Sequence, residues 1–130
     1  MIDLPVNGDH DVTLCRQATR DFAKSVGMRR SDSALLTTAV SELARNILLY
    51  AGKGVLHLRL VEEGDRKGIE AEAEDKGPGI ADVELALQDG YSTGHGLGLG
   101  LPGSRRLVDD FSIHSELGRG TRVRVLKWCR

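Results

Sequence analysis

The sequence predicts a two-layer α/β sandwich, a sheet with helices on one face and water on the other. Three observations lead there. Two amphipathic helical segments come first. Later segments alternate apolar and charged residues with period two. The charges on those segments change sign from one to the next: Arg59, then Glu70, Glu72 and Glu74, then Arg122 and Arg124. Such faces suit neighbouring strands that pair their charges across a solvated surface. With 130 residues, the chain is expected to form one domain, 1–130, with a real core. Aromatics make up 4% of it, so that core must be aliphatic.

Ile2 to Val6 reads as a short strand. A helix follows from Asp9 or Asp11, carries Val12, Cys15, Ala18, Phe22 and Val26 inward, and stops at Gly27. Ser31 or Asp32 caps a second helix with an apolar stripe of Leu35, Leu36, Ala39, Val40, Leu43, Ile47 and Tyr50, ending near Gly52. Leu56, Leu58 and Leu60 alternate with His57 and Arg59, the pattern of a half-buried strand. After a turn at Gly64 to Gly68, the next strand puts Ile69, Ala71 and Ala73 on one face and its glutamates on the other. A short helical stretch around Val83 to Leu87 interrupts a glycine-rich region from Gly77 to Gly103. A helix resumes near Pro102, a residue suited to a first turn, and runs through Leu107 and Val108. The chain ends as a hairpin, Phe111 to Glu116 and Thr121 to Trp128.

Charge and composition exclude several classes. The net charge is -1, from 18 basic and 19 acidic side chains, and no basic run stands out, which argues against nucleic acid as a partner. No apolar run approaches membrane-spanning length, and the acidic start does not read as a signal peptide. Cys15 and Cys129 lie far apart without metal-type spacing and read as reduced thiols. A cytoplasmic protein is expected.

Chemistry-bearing residues cluster in three places. Glu42 and Asn46, one helical turn apart, fall beside Leu35 on the margin of the apolar stripe, where desolvating a carboxylate and an amide is costly unless something binds them. A carboxylate there can take a proton, and an amide oxygen can hold a hard cation. Asp75 shares the inward face of Ile69, Ala71 and Ala73 just before the turn Lys76-Gly77-Pro78-Gly79. It reads either as a strand-ending aspartate that caps its own turn or as an acceptor at a pocket mouth awaiting a donor such as an exocyclic amine. Gly94, Gly96, Gly98, Gly100 and Gly103 cost backbone entropy that a purely structural loop does not justify. Their bare amides before a helix suit a lid over phosphates. The G-x-G-x-x-G match at Gly98 lacks the preceding strand that a dinucleotide fingerprint needs, and there is no Walker-type loop. Thr121 offers a hydroxyl, as a ligand contact or an ordinary strand-start residue. Lys53, just past a helix end, answers the helix dipole, and Arg45, Arg105 and Arg106 read as solvated.

Taken in order, Glu42-x-x-x-Asn46, Asp75-Lys-Gly77-Pro-Gly79, Gly96-Leu-Gly98-Leu99-Gly100 and Gly118-Arg-Gly120-Thr121 resemble the N, G1, G2 and final boxes of GHKL ATPases, over Ser41 to Thr121. Within that superfamily the runs Ser-Glu-Leu-Ala-Arg-Asn, Tyr-Ala-Gly-Lys-Gly and Gly-Leu-Pro-Gly, with the closing Lys-Trp, are similar to the switch serine/threonine kinases of bacterial stressosomes, in the anti-sigma factor kinase branch. The resemblance implies a Bergerat-type sandwich, a mixed and mostly antiparallel sheet with helices on one face, that binds ATP and Mg²⁺. It implies that Asp75 accepts from the adenine amine, with Gly77 and Gly79 shaping that end. Asn46 would coordinate magnesium, and Glu42 would serve as the base toward a hydroxyl. Gly96, Gly98, Leu99 and Gly100 would meet the phosphates, and Thr121 the nucleotide.

Departures narrow the reading. Histidine kinases carry asparagine where Glu42 stands and often a basic residue where Leu49 stands. A carboxylate suits a hydroxyl acceptor. The resemblance therefore implies a protein serine/threonine kinase that phosphorylates STAS-domain antagonist and scaffold proteins and, once released, activates a PP2C-type phosphatase. The competing expectation is a nucleotide-gated binding module, such as an anti-sigma factor that sequesters a sigma subunit.

Overall fold

The computed structural model describes residues 1–78 and 100–130. Its order is β1 (Ile2–Val6), α1 (Asp9–Ser25), α2 (Arg30–Tyr50), β2 (Gly54–Glu63), β3 (Arg66–Asp75), α3 (Gly100–Leu107), β4 (Asp110–Glu116) and β5 (Gly120–Trp128). The expected stretch at Val83 to Leu87 lies outside the described residues, as do Gly79, Gly96, Gly98 and Leu99.

α1 starts where expected, because the Asp11 carboxylate accepts from the backbone N–H of Asn7 at 2.8 Å and of Gly8 at 3.2 Å. This is the reach-back half of a capping box, in which the third helical residue satisfies the N–H groups at and just before the N-cap. The helix closes where Met28 N–H donates to Ala23 O and Gly27 N–H to Lys24 O, the crossed pair of a Schellman ending. α2 corrects one expectation. It begins at Arg30, and neither Ser31 nor Asp32 is its cap. Asp32 is buried instead and pairs with Arg29 at 3.2 Å and with Lys127 at 3.8 Å. The carboxylate is used to tie the helix start to β5 rather than to cap it. At the other end Gly52, at φ +80°, donates to Leu48 O and stops the helix as expected.

The sheet runs β1-β2-β3-β5-β4, and every described pairing is antiparallel rather than mixed. Register fixes the faces. Leu56, Leu58, Ile69, Ala71, Ala73, Val123 and Val125 meet Val12 and Cys15 of α1 and Leu36, Val40, Leu43 and Ile47 of α2 in one aliphatic core. Two expected core residues are exposed. Leu60 lies past Leu58, the last β2 residue paired with β1, so it overhangs the edge. Leu35 falls outside the buried arc that Leu36, Val40, Leu43 and Ile47 define.

The outer face holds the expected charge ladder. Arg122 reaches Glu74 at 2.8 Å, and Arg59 and Arg124 both close on Glu70. Glu70 is buried beneath those two arginines although it sits on the solvent side of the sheet. Cys15 and Cys129 are free thiols, and burial pushes the Cys15 thiol up to about 11. No described helix is long and apolar enough to cross a membrane.

Candidate active site

Period two brings Asp75 onto the helix-facing side of β3, at the strand's last position. Its Oδ1 accepts from the backbone N–H of Gly77 at 2.9 Å and from that of Thr121 at 3.3 Å. The turn-capping reading of Asp75 is thus present in the geometry. One oxygen caps the turn and ties β3 to β5, while Oδ2 takes no hydrogen bond among the described residues. Thr121 is buried, with its Oγ1 at 2.8 Å from Ser115 Oγ.

Close backbone approaches hold these parts together. A β-carbon on Gly77 would sit 2.6 Å from the Ala51 β-carbon, so the turn after β3 presses on the end of α2. One on Gly54 would meet Ile47 Cγ2 at 2.7 Å and the Asp75 β-carbon at 3.2 Å. Ile47 is the neighbour of Asn46, which brings the last turns of α2 to the Asp75 end of the sheet. The turn before β5 docks on the same loop, where Gly118 N–H donates to Pro78 O at 2.8 Å. Gly120, at φ +122°, is the tightest contact: its β-carbon would lie 2.1 Å from the Asp75 carbonyl oxygen. Only glycine combines that dihedral with that approach.

Glu42 sits one turn before Asn46 with its side chain 8% exposed. Its Oε1 accepts from Arg45 Nη1 at 2.9 Å. Arg45, expected to be solvated, is thus the partner that sequence reading missed. The signal was the i,i+3 spacing of opposite charges on one helix. Oε2 takes no hydrogen bond among the described residues. Asn46 is part-buried, and no described residue hydrogen-bonds its amide. Lys53, beyond α2, is exposed.

The site thus joins Asp75, Gly77 and Thr121 directly, with Asn46 and Glu42 along the adjoining helix. Gly100 opens α3, which packs against α2. An open depression of about 340 Å³ lies at the same strand ends, reaching from Asp75 and Thr121 to the outer-face residues Glu74, His114 and Arg122, and neither Glu42 nor Asn46 lines it. On that outer face His57 bonds Asp3 at 2.6 Å and approaches Glu74 at 3.6 Å. Hydrogen bonding to Asp3 is the main cause that raises it above its ordinary value.

By residue chemistry, an amide such as that of Asn46 can hold a cation, a carboxylate such as Asp75 an amine, and a carboxylate such as Glu42 the proton of a hydroxyl. The family described as histidine kinase-, DNA gyrase B- and HSP90-like ATPase matches residues 31–129. The serine/threonine-protein kinase RsbT of Bacillus subtilis (strain 168) is 49% identical over 120 residues, 92% of this chain and 90% of its own. An anti-sigma F factor of Thermoanaerobacter sp. (strain X514) is 29% identical over 122 residues, 89% of this chain and 84% of its own. Among solved structures, the RsbU and RsbW domains of Rv1364c from Mycobacterium tuberculosis align with TM-score 0.68 at 18% identity, covering all of this chain and 33% of that one. The mycobacterial sensor histidine kinase MprB aligns with TM-score 0.58 at 21% identity, over 99% of both. These two share the fold. The chain belongs to the histidine kinase-, DNA gyrase B- and HSP90-like ATPase family, among its protein serine/threonine kinases similar to RsbT.

Proposed function

We propose that this kinase transfers the terminal phosphoryl group of magnesium-bound ATP to a serine or threonine hydroxyl of a STAS-domain protein, in a cytoplasmic partner-switching pathway that controls a sigma factor. The observation that carries the reading is Glu42: a carboxylate almost excluded from water, with one oxygen held by Arg45 and the other without a partner among the described residues, one turn from the Asn46 amide.

The residues fit the nucleotide. Asp75 Oδ2, which takes no hydrogen bond among the described residues, is a ready acceptor for the adenine amine, and the close packing of the Gly77 turn on Ala51 helps fix where that carboxylate sits. Gly79 is assigned to the same end of the nucleotide. Asn46 offers an amide oxygen to magnesium, a ligand type that cation accepts. Magnesium, when bound, neutralises phosphate charge. Thr121 and the amides of Gly96, Gly98, Leu99 and Gly100 are assigned to nucleotide contacts. Glu42 Oε2 orients the acceptor hydroxyl and takes its proton as the new oxygen–phosphorus bond forms and the β–γ bridge breaks. Positioning and charge neutralisation carry most of such a reaction. Once its STAS captors are phosphorylated, the freed kinase binds and activates a PP2C-type phosphatase.

Labelled ATP, magnesium and a STAS-domain acceptor provide the test. Wild type should label the acceptor, and Glu42→Gln should bind ATP yet lose labelling by about 100-fold or more, the usual share of a general base. Labelling by Glu42→Gln at the wild-type rate removes the assignment. A second reading, sequestration of a sigma subunit, draws on the 29% identity to anti-sigma F factors. Recovery of a sigma factor, in place of STAS proteins, from a pull-down would put it first.

A further inference from the structure

The pairing of Glu42 with Arg45 is out of keeping with an ordinary surface ion pair. The carboxylate is 8% exposed and the arginine 39% exposed, so a nearly buried anion leans on a cation that still faces water. Exposed helix pairs at this spacing contribute little to stability. A carboxylate left unpaired in that position is another matter, because nothing else among the described residues compensates it. The bond is also selective: Nη1 meets Oε1 at 2.9 Å and leaves Oε2 without a partner among the described residues.

We propose that Arg45 is a positioning residue for phosphoryl transfer, fixing Glu42 so that Oε2 points into the site. The inference rests on Glu42 being the base. A glutamate has three side-chain torsions, and a single directional bond to one oxygen sets where the other lies. Arg45 itself touches neither acceptor nor nucleotide; it acts through Glu42. Its planar fork holds a carboxylate with more directional control than the point charge of a lysine.

The experiment measures kcat and the KM for ATP with the STAS acceptor that wild type labels. Arg45→Met should lower kcat by about 10- to 100-fold, the scale of a misplaced catalytic group. The KM for ATP should stay within about 3-fold of wild type, since the change touches no nucleotide contact. Arg45→Lys should recover part of the lost kcat. In a Glu42→Gln background, Arg45→Met should cost nothing further, because residues acting as a unit are not additive. Arg45→Gln repeats the test should Arg45→Met not fold.

Wild-type kcat in Arg45→Met overturns the proposal. So does a loss of the same size in the Glu42→Gln background, or an effect carried by the KM for ATP, which would make Arg45 a nucleotide contact. Full activity of Glu42→Gln alone is a different result. It removes the base assignment, not merely the role of Arg45.

Discussion

Gly120 and Asp75 touch backbone to backbone: a β-carbon on Gly120 would lie 2.1 Å from the Asp75 carbonyl oxygen and 2.8 Å from Lys76 Cα. The contact presses the start of β5 onto the end of β3, where Thr121 N–H reaches the Asp75 carboxylate. Gly120→Ala should therefore destabilise the protein by about 3 kcal/mol, combining left-handed strain with overpacking. Gly118→Ala, at φ +79° with open space around it, carries the strain alone and should cost about 1–2 kcal/mol. Urea denaturation of both variants checks the order. Equal losses would mean that the close approach has no energetic role.

Asp75→Asn separates fold from ligand. An asparagine Oδ1 still accepts from Gly77 and Thr121, so stability should stay within about 0.5 kcal/mol of wild type. Its amide nitrogen, however, replaces an acceptor with a donor toward the adenine amine. Calorimetry should show ATP binding weakened by about 1–3 kcal/mol, the scale of one mismatched buried partner. Unchanged affinity would detach Asp75 from the nucleotide.

Glu70 is an anion on the water side of the sheet that two arginines seal, with its side chain 5% exposed. Glu70→Ala should cost about 1–3 kcal/mol, as expected for charge-assisted bonds at a buried acceptor. Arg59→Ala removes a partner that is 55% exposed and should cost less than about 1 kcal/mol. Chemical denaturation decides. A larger loss from Arg59 would contradict the ranking.

The pair of His57 and Asp3 makes stability depend on pH. His57 is raised above 6.5, first by the hydrogen bond to Asp3, with Glu74 adding to it against some opposing desolvation. The folded chain thus holds the imidazolium proton more tightly than the unfolded one. The stabilisation is full below the ordinary value and is lost as pH rises through the folded value. Glu74, lowered from 4.5 chiefly by Arg122, works in the opposite sense and only in more acid solution. The stability gap between wild type and Asp3→Asn should be wider at about pH 6 than at about pH 8.5. A gap that stays constant, or widens toward alkaline pH, would refute this.

What the sequence disclosed follows from which rules are local. Period two is rigid, so Asp75 was placed on the inner face correctly, together with Ile69, Ala71 and Ala73. The helix stop near Gly52 and a start of α1 at Asp9 or Asp11 are legible because caps involve neighbours in the chain, and the structure selects Asp9. Asp32 was misread because its partner, Lys127, comes from the opposite end of the sequence. Leu35 was misassigned because a helical stripe has a centre that only packing reveals. The spacing of Glu42 and Asn46 marks a candidate site in the sequence, where Arg45 reads as solvated. Its importance appears only once Glu42 is known to be buried. Thr121 was a toss-up in sequence, and the long-range register of β3 with β5 decides that it meets Asp75.

Isothermal calorimetry of ATP binding with millimolar magnesium tests the central claim most directly. One nucleotide should bind per chain with saturable heat, Asp75→Asn should weaken that binding, and Glu42→Gln should leave it intact. Absence of saturable heat from the wild-type protein would contradict the account at its root.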